Sequence, residues 1–108
     1  MANSSSAHAS RERIAILGAG NIGSAIARGL VSANLYQPAE ITLTTRSPAS
    51  LEQFKSKGFV VATDNGVAVK NARIIIIAVT PQQLDGLLQT IKGSVDSQRH
   101  LIVSVVSG

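Results

Sequence analysis

Residues 14–23 read IAILGAGNIG and join an apolar run to three glycines. The run Ile14–Leu17 predicts a buried strand. The glycines that follow have the spacing G-x-G-x-x-G, at Gly18, Gly20 and Gly23. Small and apolar residues then recur at helical spacing, and we expect them to form one face of a helix: Ile22, Ala25, Ile26, Gly29, Leu30 and Ala33. The order of strand, tight glycine turn and helix predicts a βα unit whose turn lies at the carboxyl end of the strand.

The three glycines meet different physical demands. Gly18 permits the sharp turn off the strand, Gly20 leaves the backbone open to a close ligand, and Gly23 lets the helix pack against the strand. The N–H groups at the start of the helix are unpaired, and the helix dipole favours negative charge there. The stretch therefore predicts a binding site for the diphosphate of a dinucleotide; the alternative is a glycine-rich connector in some other βα unit.

The rest of the chain alternates between strands and helices. The predicted strands are Ile14–Leu17, Ile41–Thr45, Phe59–Ala62, Ile74–Val79 and Leu101–Val106. The predicted helices start at about Asn21 and end near Ala33-Asn34, start at Ser47-Pro48 and are ended by Gly58, run from Asp64-Asn65 to about Lys70, and start at Pro81, with Gly93 past the end. The alternation predicts an α/β fold, a Rossmann-type doubly wound parallel sheet with strand order 3-2-1-4-5. Its ligand site would lie across the carboxyl ends of strands 1 and 4.

The composition is consistent with one domain and argues against nucleic acid as a binding partner. The chain has 108 residues, of which 44% are hydrophobic, enough to bury a core. We expect residues 1–12 to be a disordered tail and residues 13–108 to be the dinucleotide-binding domain. The net charge of +4 is spread without a basic cluster, and aromatic residues make up only 3%, which argues against nucleic acid. No apolar run approaches the ~20 residues of a membrane span, and the absence of Cys excludes disulfides.

The end of the second predicted strand indicates which dinucleotide binds. In NAD sites an Asp or Glu about 20 residues beyond the glycines binds the ribose 2′-OH. Here the strand ends in Thr44 and Thr45, and the nearest acid, Glu40, precedes the strand and belongs to the opposite end of the sheet. Arg46 can pair with a 2′-phosphate, and Ser47 can add its hydroxyl and N–H. We therefore predict NADP(H) in preference to NAD(H); the alternative is that Arg46 is a solvated cation and Ser47 only a helix cap.

No set of residues predicts a catalytic acid, base or nucleophile, and the catalytic residues stay unknown. His8 is in the tail, while His100 and Tyr36 belong to the end of the sheet away from the ligand. Asp64 is placed as a helix cap. No His, Cys or Asp cluster has metal-ligand spacing, so no metal site is predicted. Hydride transfer is chemistry of the cofactor, and the protein orients it.

Several segments resemble pyrroline-5-carboxylate reductases. They are residues 16–23 (ILGAGNIG) with 25–30 (AIARGL), Thr45-Arg46-Ser47-Pro48, Asp64-Asn65, Ala78-Val79-Thr80-Pro81, and residues 103–108 (VSVVSG). The resemblance covers about residues 13 to 108. Two departures stand out: Thr80 replaces the usual Lys of an A-V-K-P turn, and Val106-Ser107 replaces an Ala-Ala pair.

The resemblance implies reduction of the imine 1-pyrroline-5-carboxylate to L-proline, a step of proline biosynthesis, by an NAD(P)H-dependent oxidoreductase in the cytoplasm. Together with the glycine turn, it implies a set of cofactor-binding residues: Gly18, Ala19, Gly20, Asn21, Ile22, Gly23, Thr45, Arg46, Ser47, Asn65, Ala78, Val79, Thr80 and Pro81.

The resemblance also implies a carboxy-terminal helical domain, absent from this sequence, that forms a homo-oligomer and supplies most of the pocket for the small-molecule substrate. We therefore expect residues 13–108 to be a fragment of a longer enzyme, able to bind NADPH but nearly inactive alone. The alternatives are another NADP-dependent enzyme, of the hydroxyacid dehydrogenase or ketopantoate reductase type, and a non-catalytic nucleotide-binding module.

Overall fold

A computed structural model describes residues 13–105 of the chain. The tail predicted over residues 1–12 lies outside the described residues. The end of the last predicted strand and the departure at Val106-Ser107, which fall in residues 106–108, also lie outside them. Within the described part, no helix is both long and apolar enough to cross a bilayer.

Five parallel strands form one sheet in the order β3-β2-β1-β4-β5, which confirms the predicted topology. The strands are β1 (Ile14–Leu17), β2 (Ile41–Thr44), β3 (Val60–Ala62), β4 (Ile74–Ile77) and β5 (Leu101–Ser104). In the register of the sheet, Leu17 pairs with Thr44 on one side and with Ile77 on the other. The carboxyl ends of β1, β2 and β4 are therefore level, and the turns that follow them meet at one edge.

Four helices connect the strands: α1 (Asn21–Ser32), α2 (Pro48–Ser56), α3 (Asn65–Lys70) and α4 (Pro81–Ile91), with a short 3-10 helix at Pro38–Glu40. Their starts agree with the prediction because the capping chemistry is local. The Ser47 hydroxyl accepts the N–H of Ser50 at 3.3 Å, and the Asp64 carboxylate accepts that of Gly66 at 2.8 Å.

Apolar side chains pack on both faces of the sheet and form two core clusters. One lies under α3 and α4 and contains Ala15, Leu17, Ala68, Val69, Ala72, Ile75, Ile77, Leu87 and Ile91. The other contains Ile14, Ile16, Ala19, Ala27, Ile41, Leu43, Phe54 and Phe59. Successive residues of β1 alternate between the clusters, as side chains of a strand covered on both faces must.

Four strands are shorter than predicted. β2 stops at Thr44, one residue early, and β3 starts at Val60 instead of Phe59. β4 stops at Ile77 instead of Val79, because the chain leaves the sheet there to start α4. One ladder-like bond persists, from the Ala78 N–H to the Leu17 carbonyl at 3.0 Å. The outer strand β5 also stops at Ser104 and does not include Val105, and all four of its residues are exposed.

The predicted buried face of α1 is wrong in part. The buried residues of this helix are Gly23 and Ala27, whereas the Ile22 side chain is 43% exposed. Of the other predicted positions, Ile26 and Leu30 are half-buried, and Ala25, Gly29 and Ala33 are exposed. The buried face is instead centred on Gly23 and Ala27, and at Gly23 the helix packs so tightly against the first strand that a Cβ would not fit.

Candidate functional site

A cavity of about 830 Å³ lies at the carboxyl edge of the sheet, between the turns that follow β1, β2 and β4. It is lined by every predicted site residue except Gly23 and Pro81. The structure therefore brings together residues that are up to about 60 positions apart in the sequence. It also adds residues that the sequence analysis missed: Thr44, Ser50, Thr63, Gln82, Gln83, Gly86, Leu87 and Thr90.

Gly18 forms the turn after β1 in a backbone conformation that residues with a Cβ rarely adopt. Its φ is +83°, and a Cβ there would overlap Val79 and lie 2.9 Å from the carbonyl oxygen of Ala78. The Gly18 N–H donates to the Thr44 hydroxyl at 3.1 Å, and the Ala19 N–H donates to the Thr44 carbonyl at 2.8 Å. The turn is thus held between β2 on one side and the end of β4 on the other.

Gly20 and Gly23 have the contrasting surroundings that the glycine spacing predicts. A Cβ on Gly20 would meet no atom within 4 Å, so the backbone of Gly20 is open to the cavity. A Cβ on Gly23 would lie 2.9 Å from the Gly18 carbonyl oxygen and 3.2 Å from the Ile16 side chain. Gly23 therefore permits close packing of α1 on β1 without itself lining the cavity.

The first turn of α1 offers backbone donors to the cavity. Gly20 is the N-cap residue and provides no side-chain hydrogen bond. Within residues 13–105 no group accepts the backbone N–H of Asn21 or Ile22, and both residues line the cavity. Unpaired N–H groups and the helix dipole together create a positive region there that suits an anion.

The turn between β2 and α2 places one cation beside this region. Arg46 is exposed and lines the cavity, and among the described residues that line it Arg46 is the only ionisable one. The Thr45 hydroxyl accepts the Ser47 N–H at 3.2 Å. The prediction that this N–H is available to a ligand is therefore wrong. The Ser47 hydroxyl oxygen accepts the Ser50 N–H, which leaves its own hydrogen available for donation. Glu40 lies in the 3-10 helix before β2, at the opposite end of the strand, as predicted.

Polar side chains from α3 and α4 line the far side of the cavity. The Asn65 side-chain amide donates to the Thr90 hydroxyl at 3.4 Å, and that hydroxyl donates to the Leu87 carbonyl at 2.6 Å. Asn65 is held in place because the neighbouring Asp64 caps α3. Thr90 was missed because it lies 25 residues from Asn65 in sequence, and only the packing of the two helices joins them.

The start of α4 completes the lining next to Ala78 and Val79. The Thr80 N–H donates to the Gln83 side-chain oxygen at 3.2 Å, in a capping box that closes the first turn of the helix. Thr80, where the resembled family has Lys, adds no charge to this part of the cavity. The first two turns of α4 also contribute Gln82, Gln83 and Gly86 to the lining. In the sequence, only the predicted helix after Pro81 could have indicated that these residues lie near the site.

Among residues 13–105, the cavity lining offers hydrogen-bonding groups but no acidic or basic side chain suited to accepting or donating a proton near neutral pH. The lining includes no Asp, Glu, His, Lys or Tyr among the described residues. His100 precedes β5, at the other end of the sheet, where its Nδ1 accepts the Asp96 N–H at 2.9 Å. Within the same residues, no three potential metal ligands lie together.

The family model, the sequence relatives and the similar solved structures all belong to oxidoreductases. Residues 13–108 match the family model described as NADP oxidoreductase coenzyme F420-dependent. Over 95 residues the chain is 46% identical to pyrroline-5-carboxylate reductase 1 of Dictyostelium discoideum. This alignment covers 88% of this chain and 17% of that protein. The structure of a pyrroline-5-carboxylate reductase from Coxiella burnetii superposes with a TM-score of 0.81 at 32% identity, over 90% of this chain and 36% of that one.

An imine reductase from Myxococcus stipitatus in complex with NADP+ also superposes, with a TM-score of 0.74 at 26% identity, over 89% of this chain and 32% of that one. A variant of that enzyme is in complex with NAD+ (TM-score 0.75, 25% identity, 91% of this chain and 33% of that one). The chain spans 17% to 36% of the length of these relatives. It belongs to the family described as NADP oxidoreductase coenzyme F420-dependent, and its resemblance to the pyrroline-5-carboxylate reductases within that family is confirmed.

Proposed function

We propose that the chain is the NADP(H)-binding domain of an oxidoreductase that reduces the C=N bond of 1-pyrroline-5-carboxylate to give L-proline. The observation that carries this proposal is that the backbone amides at the start of α1, which have no acceptor among the described residues, and the cation Arg46 line the same cavity. The relatives named as pyrroline-5-carboxylate reductases supply the substrate. The bound cofactor supplies the hydride, and the residues described here hold and orient it.

The cavity fits the successive parts of a dinucleotide. The diphosphate lies against the backbone of Gly20 and accepts the N–H groups of Asn21 and Ile22. The adenosine ribose lies towards Arg46, and Asn65 faces the same half of the cofactor. The nicotinamide half then extends towards Ala78–Thr80, at the end of β4. In this arrangement Gly23 and Pro81 support the site without touching the ligand.

The preference for NADP(H) over NAD(H) rests on charge. The guanidinium of Arg46 can make two parallel hydrogen bonds to a 2′-phosphate, and the Ser47 hydroxyl can donate one more. No described carboxylate lines the cavity to accept a ribose 2′-OH or to repel the phosphate. The NADP+ complex of the imine reductase supports this preference, while a variant of that enzyme is in complex with NAD+.

Residues beyond the described cavity must complete the enzyme. Reduction of an imine needs a proton at nitrogen and a wall around the substrate, and the residues between 13 and 105 that line the cavity include no acid that could donate the proton. We assign both to further parts of the enzyme, in a helical domain that also forms the homo-oligomer. The cytoplasmic location implied by the resemblance stays a prediction.

Calorimetric titration of the 108-residue chain with NADPH and with NADH tests the proposal. We expect both to bind, with NADPH tighter by about tenfold or more, because a charge-assisted hydrogen bond contributes about 1.5–3 kcal/mol. We also expect negligible oxidation of NADPH when 1-pyrroline-5-carboxylate is added. Absence of binding by either dinucleotide would contradict the proposed site, and equal affinities would contradict the assigned preference.

A further inference from the structure

Thr44 is a buried polar residue at the end of β2, and both of its oxygens accept hydrogen bonds from the glycine turn. Its side chain is only 3% exposed, at the last position of β2. The hydroxyl oxygen accepts the Gly18 N–H at 3.1 Å, and the carbonyl oxygen accepts the Ala19 N–H at 2.8 Å. One residue of the neighbouring strand thus fixes two consecutive residues of the turn.

The hydroxyl bond has no substitute among the described groups. Gly18 is half-buried, and its positive φ turns the chain out of the sheet, so its N–H no longer has a ladder partner. A buried N–H without an acceptor is costly, and the turn would move to reach another one. The N–H groups of Asn21 and Ile22 follow within four residues, so movement of the turn would displace these donors.

We infer that Thr44 is a positioning residue for the dinucleotide diphosphate. Its hydroxyl holds the glycine turn in the conformation that leaves Gly20 open and the first amides of α1 directed at the cavity. The inference rests on the proposed function, because it assumes that the diphosphate binds at this turn. Since both dinucleotides share the diphosphate, Thr44 affects NADPH and NADH equally, in contrast to Arg46, which contacts only the extra phosphate.

The test compares Thr44→Val, which keeps the shape but removes the hydroxyl, with Thr44→Ser, which retains it. Thr42→Val is the matched control, because Thr42 lies in the same strand, faces the same side of the sheet, is 8% exposed and does not line the cavity. We expect Thr44→Val to weaken NADPH and NADH binding alike by about three- to tenfold, the effect of one neutral hydrogen bond. Thr44→Ser and Thr42→Val should stay within about twofold of the unmodified protein, by the same estimate.

Amide hydrogen exchange of Gly18 in the free protein gives a readout that needs no ligand. Exchange should be about fivefold or more faster in Thr44→Val than in Thr42→Val, and close to the unmodified rate in Thr44→Ser. If Thr44→Val does not fold, Thr44→Ala removes the same hydroxyl without adding a methyl group, and the same results are expected.

Two results would overturn the inference. One is Thr44→Val protein that is as thermally stable as Thr42→Val and binds both dinucleotides like the unmodified protein. The other is unchanged exchange at Gly18. Failure of the unmodified protein to bind either dinucleotide would instead refute the proposed function, and the exchange rate would still decide whether Thr44 holds the turn.

Discussion

The proposed preference between two dinucleotides that differ by one phosphate depends on Arg46. Its side chain is exposed, at the edge of a cavity otherwise lined by neutral residues. An exposed guanidinium is worth little in a simple surface ion pair, but a 2′-phosphate presents oxygens that match its planar fork in geometry and charge. At the scale of single residues, we therefore expect any preference for NADP(H) to depend on this side chain more than on the surrounding hydroxyls.

Replacing Arg46 by Ala is expected to weaken NADPH binding by about tenfold or more, through loss of a charged hydrogen bond. NADH has no 2′-phosphate, so its affinity should stay within about twofold. Calorimetry of both ligands measures the effect, and Arg28→Ala controls for the loss of one positive charge, since Arg28 is exposed on α1 and does not line the cavity. An equal loss of affinity for NADPH and NADH in Arg46→Ala would argue against a phosphate contact.

Two glycines of the same turn should respond to alanine in opposite ways. Gly20→Ala adds a methyl group to open space, so the melting temperature should hardly change, while the methyl group obstructs the diphosphate and weakens NADPH binding by about tenfold. Gly18→Ala forces a positive φ and overlaps Val79, at a cost of about 2 kcal/mol or more in the free energy of unfolding. Thermal denaturation and ligand titration separate the two effects; a stable Gly18→Ala protein would show that the turn relaxes.

Helix starts were predictable at the scale of elements because the residues that cap a helix lie within three positions of its first turn. Ser47 and Asp64 accept N–H groups from their own helices, as the sequence indicates. The buried face of α1 was not predictable in the same way. It is centred on Gly23 and Ala27, small residues with a weak apolar signal, and only the packing of the helix on β1 selects them.

The short helix α3 is expected to depend on its cap. The Asp64 carboxylate accepts the N–H groups of Gly66 and Val67, at 2.8 and 3.3 Å. Asp64→Ala should lower the free energy of unfolding by about 1 kcal/mol, measured by urea denaturation, whereas Asp64→Asn keeps an accepting oxygen and should lose less. Equal losses in the two variants would show that charge, and not the hydrogen bond, stabilises the helix start.

For the whole molecule, the alternation of strands and helices was sufficient to predict the strand order and the edge of the sheet that carries the site. Residues from separate turns, such as Asn21, Arg46, Asn65 and Thr80, were predicted to converge, and they line one cavity. The lining from the middle of α4, including Thr90, could not be predicted, because it depends on how far α4 leans over α3. Substrate recognition and proton donation are not explained by the described cavity and stay predictions.

The binding of a diphosphate at the carboxyl edge of the sheet is tested most directly by mapping amide chemical shifts of the isotope-labelled protein during titration with NADPH. The largest shift changes should fall on the amides of Asn21 and Ile22 and on the turn around Arg46. The amides of the residues that precede β4 and β5, at the opposite edge of the sheet, should change little. A response concentrated near Arg73 and His100, at the opposite edge, or no response at Asn21 and Ile22 under saturating NADPH, would contradict the account.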